Sequence, residues 1–261
     1  MCAHADDDGP VNVMGDAMVR IGPALAAVVV ALALVAVIVH YAATTGYGRG
    51  TAIAAVRACV QLAALATVLT IVIQHIWASV LFVVVMACVA AWTSAGRITQ
   101  GSNMIRSTFF CLLPVAAATV LIVTLVLVIG VLPATGLAVI PTAGIMFGGA
   151  MNTTSLAGRR AHDELTTRQG EVQAALALGM LPRDARLEIC GPAAYTALVP
   201  GIDQTRSVGL VTIPGAFVGM ILGGASTTAA AIMQLFVLIS LLAVSAIAAV
   251  ITTEMIAREA I

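Results

Sequence analysis

The sequence predicts an all-α polytopic membrane protein with about seven transmembrane helices and a short helix pair outside the bilayer. Three observations predict it. Of 261 residues, 61% are hydrophobic and only 9% charged, a balance foreign to soluble globular domains. Apolar runs of the length needed to cross a bilayer, about 20 residues, recur along the chain. The charges fall mostly between those runs, and all 12 basic residues are arginine.

Residues 1–17 form an acidic extracytoplasmic tail in which Cys2, His4, Asp6, Asp7 and Asp8 crowd together; a disordered tail is expected. No basic region precedes the first apolar run, which argues against a cleaved signal peptide. Residues 18–261 read as a single transmembrane domain, with 158–206 as its cytoplasmic region. The spans are expected at 21–41, 51–73, 76–95, 109–132, 137–157, 208–224 and 228–252. Trp77 and Trp92 stand near the two ends of the third, as interfacial anchors do.

Cytoplasmic loops carry the excess of basic residues. With the N-terminus outside and the C-terminus cytoplasmic, Arg49, Arg57, Arg97, Arg106, Arg159, Arg160, Arg168, Arg183, Arg186, Arg206 and Arg258 fall at or near the inner side, and Arg20 alone outside. The opposite orientation inverts this asymmetry, and a shift by one span splits it.

Residues 171–192, EVQAALALGMLPRDARLEICGP, hold a helix too short to cross a bilayer, with arginines on both sides. Gly179 suits a left-handed helix stop and Pro182 the first position of the next helix, so a helix, a turn and a second helix are expected on the cytoplasmic side. An amphipathic helix lying in the interface is the plainer reading of the same stretch.

Other residues carry candidate chemistry. Asn152, Thr153, Thr154 and Ser155 place polar groups in succession in the inner half of the fifth span, which is costly unless they face protein or a cavity. With Met151 they are candidates to line a path; bonding of Ser and Thr to the carbonyl four residues back is the alternative. Arg57 and Gln61, four apart, share one face of the second span. Arg57 either reaches the inner interface or meets cargo. Gly215, Gly219 and Gly223 form a stripe suited to close helix packing or a dimer contact. His40 and His75 are expected to cap helices or face the interface, and Asp203 and Arg206 to pair at the inner mouth. Cys2, Cys59, Cys88, Cys111 and Cys190 lack ligand spacing and read as packing residues, so no metal site is expected among them. Without lysine the chain offers no standard P-loop.

The helix pair resembles the EAA loop of ABC-transporter permeases, E-A-A-x-x-x-G-x9-I-x-L-P. Ala174, Ala175, Gly179, Ile189 and Pro192 stand on that pattern, with Gln173 in place of the Glu and Gly191 in place of the Leu. Further blocks are similar to the Fet-type iron-export permeases, a family that includes the plant aluminium-sensitivity permeases. They are RACVQL from Arg57, GAMN followed by SLA from Gly149, LVP from Leu198, and VGLVTIPG from Val208. Met220, Thr227 and Asp203 stand where that family has Gln, Pro and Asn.

The resemblance implies a permease subunit that exports iron or a related metal. It would work as a homodimer within membrane lipid, with no nucleic acid involved. ATP and Mg would sit on a separate ATP-binding subunit; this chain would bind no cofactor and hold no catalytic residue. Gln173, Ala174, Ala175, Gly179, Ile189 and Pro192 would couple to the ATPase. Three rivals remain at this level: a binding-protein-dependent importer permease, an ATP-independent channel or secondary transporter, and an intramembrane enzyme. The last lacks the paired carboxylates or His cluster that such chemistry needs in the spans.

Overall fold

The computed structural model describes residues 22–99 and 104–259, so the acidic tail and Arg20 lie outside the described residues. The chain divides into two compact units, residues 1–69 and 70–261. The first holds α1 (Pro23–Ala42) and the greater part of α2 (Gly48–Val72), joined by a short turn. Pro23 opens α1 as a first-turn proline should. Its end is closed by backbone bonds from Thr44 and Thr45 to the carbonyls of Tyr41 and His40, and His40 Nδ1 lies 3.0 Å from Thr45 Oγ1. The histidine therefore serves the turn.

The second unit contains α3 (Ile76–Ile98), α4 (Met104–Val128), α5 (Gly136–Thr167), α6 (Gln169–Ala177), α7 (Pro182–Tyr195), α8 (Val199–Ser207), α9 (Gly215–Leu222) and α10 (Thr227–Ala257). A 3-10 turn, Thr196–Leu198, joins α7 to α8. Among the described residues there is no β-strand, only an isolated bridge between Val208 and Thr212. Five helices, α1, α2, α3, α4 and α10, are long and apolar enough to cross a membrane. The more polar α5, at 32 residues, has the length to cross and to continue about 10 residues past the predicted end at Ala157.

Small residues let these helices approach closely. Ala87, Ala90, Val115, Ala118, Ala143, Ala150 and Ala248 pack around Met146, Phe147 and Val244, joining α3, α4, α5 and α10 in one core. The direction of each helix follows from its contacts. Gly136 and Gly158 of α5 abut Ser79 and Ile98 at the two ends of α3, so these two run the same way. Gly149 abuts Leu241 and Ser245, while Ala157 and Ala161 pack with Ile256, so α10 shares that direction too.

Between α5 and α10 the chain must therefore return. It does so as a broken element, not as the continuous helix expected at 208–224. Beyond α8 the backbone leaves the helix, turns at Gly209 (φ +77°) and resumes only at Gly215 after Pro214. Pro214 has no N–H to extend a helix and disfavours helical geometry at Ile213. At eight residues α9 is about 12 Å long, well short of a bilayer core.

Candidate functional site

Two polar regions stand out in the second unit, one at each level of the bundle. The first is the end where α5 projects past the apolar core. There α6 and α7 form an elbow of the predicted kind. Gly179 takes φ +90°, Gly179 N–H donates to the Leu176 carbonyl at 3.0 Å, and Met180 N–H donates to Ala175 at 3.1 Å, the paired bonds of a glycine-capped helix end. Pro182 then starts α7. Leu178 and Leu181 at the tip are 86% and 67% exposed, an apolar knob without cover among the described residues.

Behind the knob α7 is fixed to the bundle. Cys190 and Ala194 are buried with Ala157 and Ala161 of α5 and Ile256 of α10. Arg183 grips Glu254 of α10 with two bonds of 2.7 Å, Nε to Oε1 and Nη2 to Oε2, the strong geometry of an arginine–carboxylate pair. Arg258 donates to the same carboxylate at 2.6 Å. Arg186 pairs with Glu259 and donates to the Ala257 carbonyl. Arg160 of α5 reaches Thr196 beyond the end of α7. At the junction of α5 and α6, Arg168 bridges Glu164 and Glu171 and holds the Glu171 carboxyl below the ordinary range by hydrogen bonding.

The predicted coupling residues occupy this elbow. Gln173 and Ala174 are exposed on α6 and Ala175 is half-buried; Ile189 is half-buried and Pro192 exposed on α7. Gln173 also lines a cavity of about 540 Å³ with His162, Gln169 and Arg186.

The polar run on α5 lies nearer the core. Thr153, Thr154 and Ser155 are buried, and Asn152 alone is exposed. Ser155 Oγ donates to the Met151 carbonyl at 2.7 Å, and Ser94 of α3 donates to the same oxygen at 3.2 Å. Arg97 Nη1 donates to Asn152 Oδ1 at 3.2 Å. Thr154 Oγ1 is buried with no hydrogen-bond partner. In the first unit, Arg57 and Gln61 line one face of α2 with Ala52, Ile53, Val56 and Val60.

The second polar region is the break. The Ser207 carbonyl receives bonds from Leu210, Val211 and Thr212, and Gly209 N–H donates to the Thr212 carbonyl at 2.9 Å, so the break is a compact turn. It borders a cavity of about 400 Å³ lined by Val208, Gly209, Ile213, Pro214, Phe217 and, from α10, Ala231, Gln234, Leu235 and Leu238. Gln234 is 8% exposed and its Oε1 has no partner.

Leu242 is the middle residue of α10, and a side chain built at Gly201 would stand 3.8 Å from its Cδ2. Asp203 and Arg206 thus lie halfway along α10, between the levels of Leu242 and Leu238. They pair, as the sequence suggests, at 3.6 Å. Charge alone marks them as part of a loop; packing sets their depth. On α9, side chains built at Gly215 and Gly219 would meet nothing within 4 Å, and one at Gly223 only its own helix, so no other described residue covers the glycine stripe.

Five helices long and apolar enough to cross a membrane, several of them packed through small residues, define a multi-pass membrane protein. The sequence model described as Uncharacterised protein family UPF0014 matches residues 24–261, and the chain belongs to that family. It is 31% identical over 202 residues to UPF0014 membrane protein STAR2 of Oryza sativa subsp. japonica, covering 76% of this chain and 69% of that one. To ALUMINUM SENSITIVE 3 of Arabidopsis thaliana it is 30% identical over 234 residues, 88% and 83% of the two chains. To the probable iron export permease protein FetB of Escherichia coli K12 it is 28% identical over 205 residues, 78% of each. No solved structure matches.

Proposed function

We propose that the chain is the permease subunit of an ABC transporter that exports iron or a related metal, driven by a separate ATP-binding subunit. The observation that carries this reading is the elbow. A glycine-capped turn presents Leu178 and Leu181 outward while Arg183 and Arg186 tie the helix behind it to α10. Such a part can seat in a soluble partner and pass movement into the bundle. The metal cargo rests on the relative named as a probable iron export permease.

In this reading ATP and Mg stay on the partner, this chain performs no hydrolysis, and two copies enclose the path. Residues 18–261 act as one transmembrane domain, and 158–206 holds the cytoplasmic elbow of α6 and α7 that couples to the partner. The N-terminus lies outside and the C-terminus inside, the side on which the basic residues gather. Asn152, held by Arg97 at the inner end of the core, and Met151 and Ser155 beside it belong to the path's inner section. Arg57 and Gln61 supply a polar face on α2.

Purification of the tagged chain in mild detergent tests the subunit assignment: an ATP-binding subunit is expected to come with it. Cells lacking the chain are expected to retain more iron or manganese after loading. A chain that never associates with an ATPase yet moves ions without ATP contradicts the proposal.

A further inference from the structure

Asp203 and Arg206 form an i, i+3 pair at 3.6 Å, longer than a hydrogen bond, and their side chains remain 61% and 76% exposed. Their level is fixed by Gly201 against Leu242, the middle of α10, and by Val208 and Gly209 in the cavity with Gln234 and Leu238. In an apolar span this is the depth at which charge is most costly, and charged side chains there face protein or water, not lipid. Unwound backbone at such depth obeys the same restriction.

We propose that α8 and the break line a water-filled path at mid-depth, and that Asp203 is its cation-binding group, with Arg206 as a tethered counter-ion that yields the carboxylate to a passing hydrated divalent cation.

Two further features favour a cation over an anion. α8 ends at Ser207, so the negative end of its dipole points into the break. Gln234 Oε1 is an acceptor buried with no donor beside that same break. The cavity walls are otherwise apolar, and Asp203, one helical turn before the break on α8, is the carboxylate nearest it in sequence. The loose contact to Arg206 suits exchange: the guanidinium neutralises the carboxylate at rest and needs only a rotamer change to release it. This role deepens the transport reading and rests on it for the cargo, whereas the presence of water at Asp203 is independent of any ATPase.

The experiment has two arms. In native membrane vesicles, full-length chains with the five cysteines replaced and a single Asp203→Cys, Arg206→Cys or Ile239→Cys are treated with a membrane-impermeant cationic thiosulfonate. Ile239 is a 53% exposed apolar residue of α10 and serves as the lipid-facing control. Cysteines at 203 and 206 are expected to react at least roughly tenfold faster than at 239, since only hydrated thiols ionise readily. Equal, slow reaction at all three overturns the path.

In the second arm the complex with its ATPase is reconstituted in sealed vesicles and Mn2+ flux is followed. Asp203→Asn is expected to lower flux at limiting Mn2+ about tenfold, the loss of one charge contact. Arg206→Gln is expected to lower the half-saturating Mn2+ concentration. Wild-type flux in Asp203→Asn, or an unchanged half-saturation in Arg206→Gln, overturns the cation role. Fast labelling with no ATP-driven flux in the wild-type complex would instead break the transporter assignment and leave the hydrated site standing.

Discussion

The elbow and the break are built on opposite terms. At the elbow, Arg168, Arg183 and Arg186 each reach two acceptors, and the small residues Cys190 and Ala194 are fully buried. At the break, the one ion pair is loose and a buried amide oxygen has no donor. Saturated contacts hold a shape against load, whereas unsaturated ones leave room for a ligand. In the proposed transporter, the first suits a part that transmits movement and the second a part that meets cargo.

Rigidity at the elbow is the easiest side of this comparison to break. Gly179→Val puts a β-branched residue at φ +90°, a strain of about 1–3 kcal/mol confined to the turn. The expected result is loss of transporter-stimulated ATP hydrolysis with normal membrane insertion, read by vesicle ATPase assay and surface labelling. Intact stimulation would show that the turn's shape is not needed.

A charge exchange probes the tie to α10. Arg183→Glu faces Glu254 with a like charge and is expected to reduce coupled transport several-fold, while the double variant Arg183→Glu with Glu254→Arg recovers part of it, Arg258 and Asp184 then meeting like charges. Absence of recovery would reduce the pair to a surface contact.

Thr154 offers a subtler test. Its hydroxyl is buried without a partner, so Thr154→Val removes an unmet polar group at constant shape and is expected to leave stability unchanged or raise it by up to about 1 kcal/mol. Thermal unfolding in detergent measures this. A large loss would mean the hydroxyl is satisfied in the working state.

The smallest effect belongs to Glu171. Arg168 lowers its pKa, so its contribution to stability is present above the ordinary carboxylate range and fades as pH falls through the lowered value. Because the side chain is more than half exposed and its ion pair lies at the surface, Glu171→Gln should leave the melting temperature at neutral pH unchanged within error.

Much of this was legible in the sequence because membrane helices answer to length and apolarity alone. The long helices lie close to their expected positions, and Gly179 and Pro182 end and start helices as their backbone chemistry dictates. The sixth span was not legible. Residues 208–224 satisfy a hydropathy window whether or not the backbone stays helical, and the charges of Asp203 and Arg206 made α8 look like loop. Gly209 and Pro214 were the available signals of a break. Their effect depends on packing against α10, as does the burial of Thr153, Thr154 and Ser155, which leaves Asn152 alone outward.

The central claim is that the elbow is where a separate ATPase engages this membrane bundle. The most direct measurement is how much ATP-binding subunit is retained by the purified chain when both apolar tip residues are replaced, as Leu178→Asp with Leu181→Asp. Near-stoichiometric retention is expected for the wild-type chain and loss of most of it for the variant, with both equally inserted in the membrane. Equal retention by the two chains would contradict the claim.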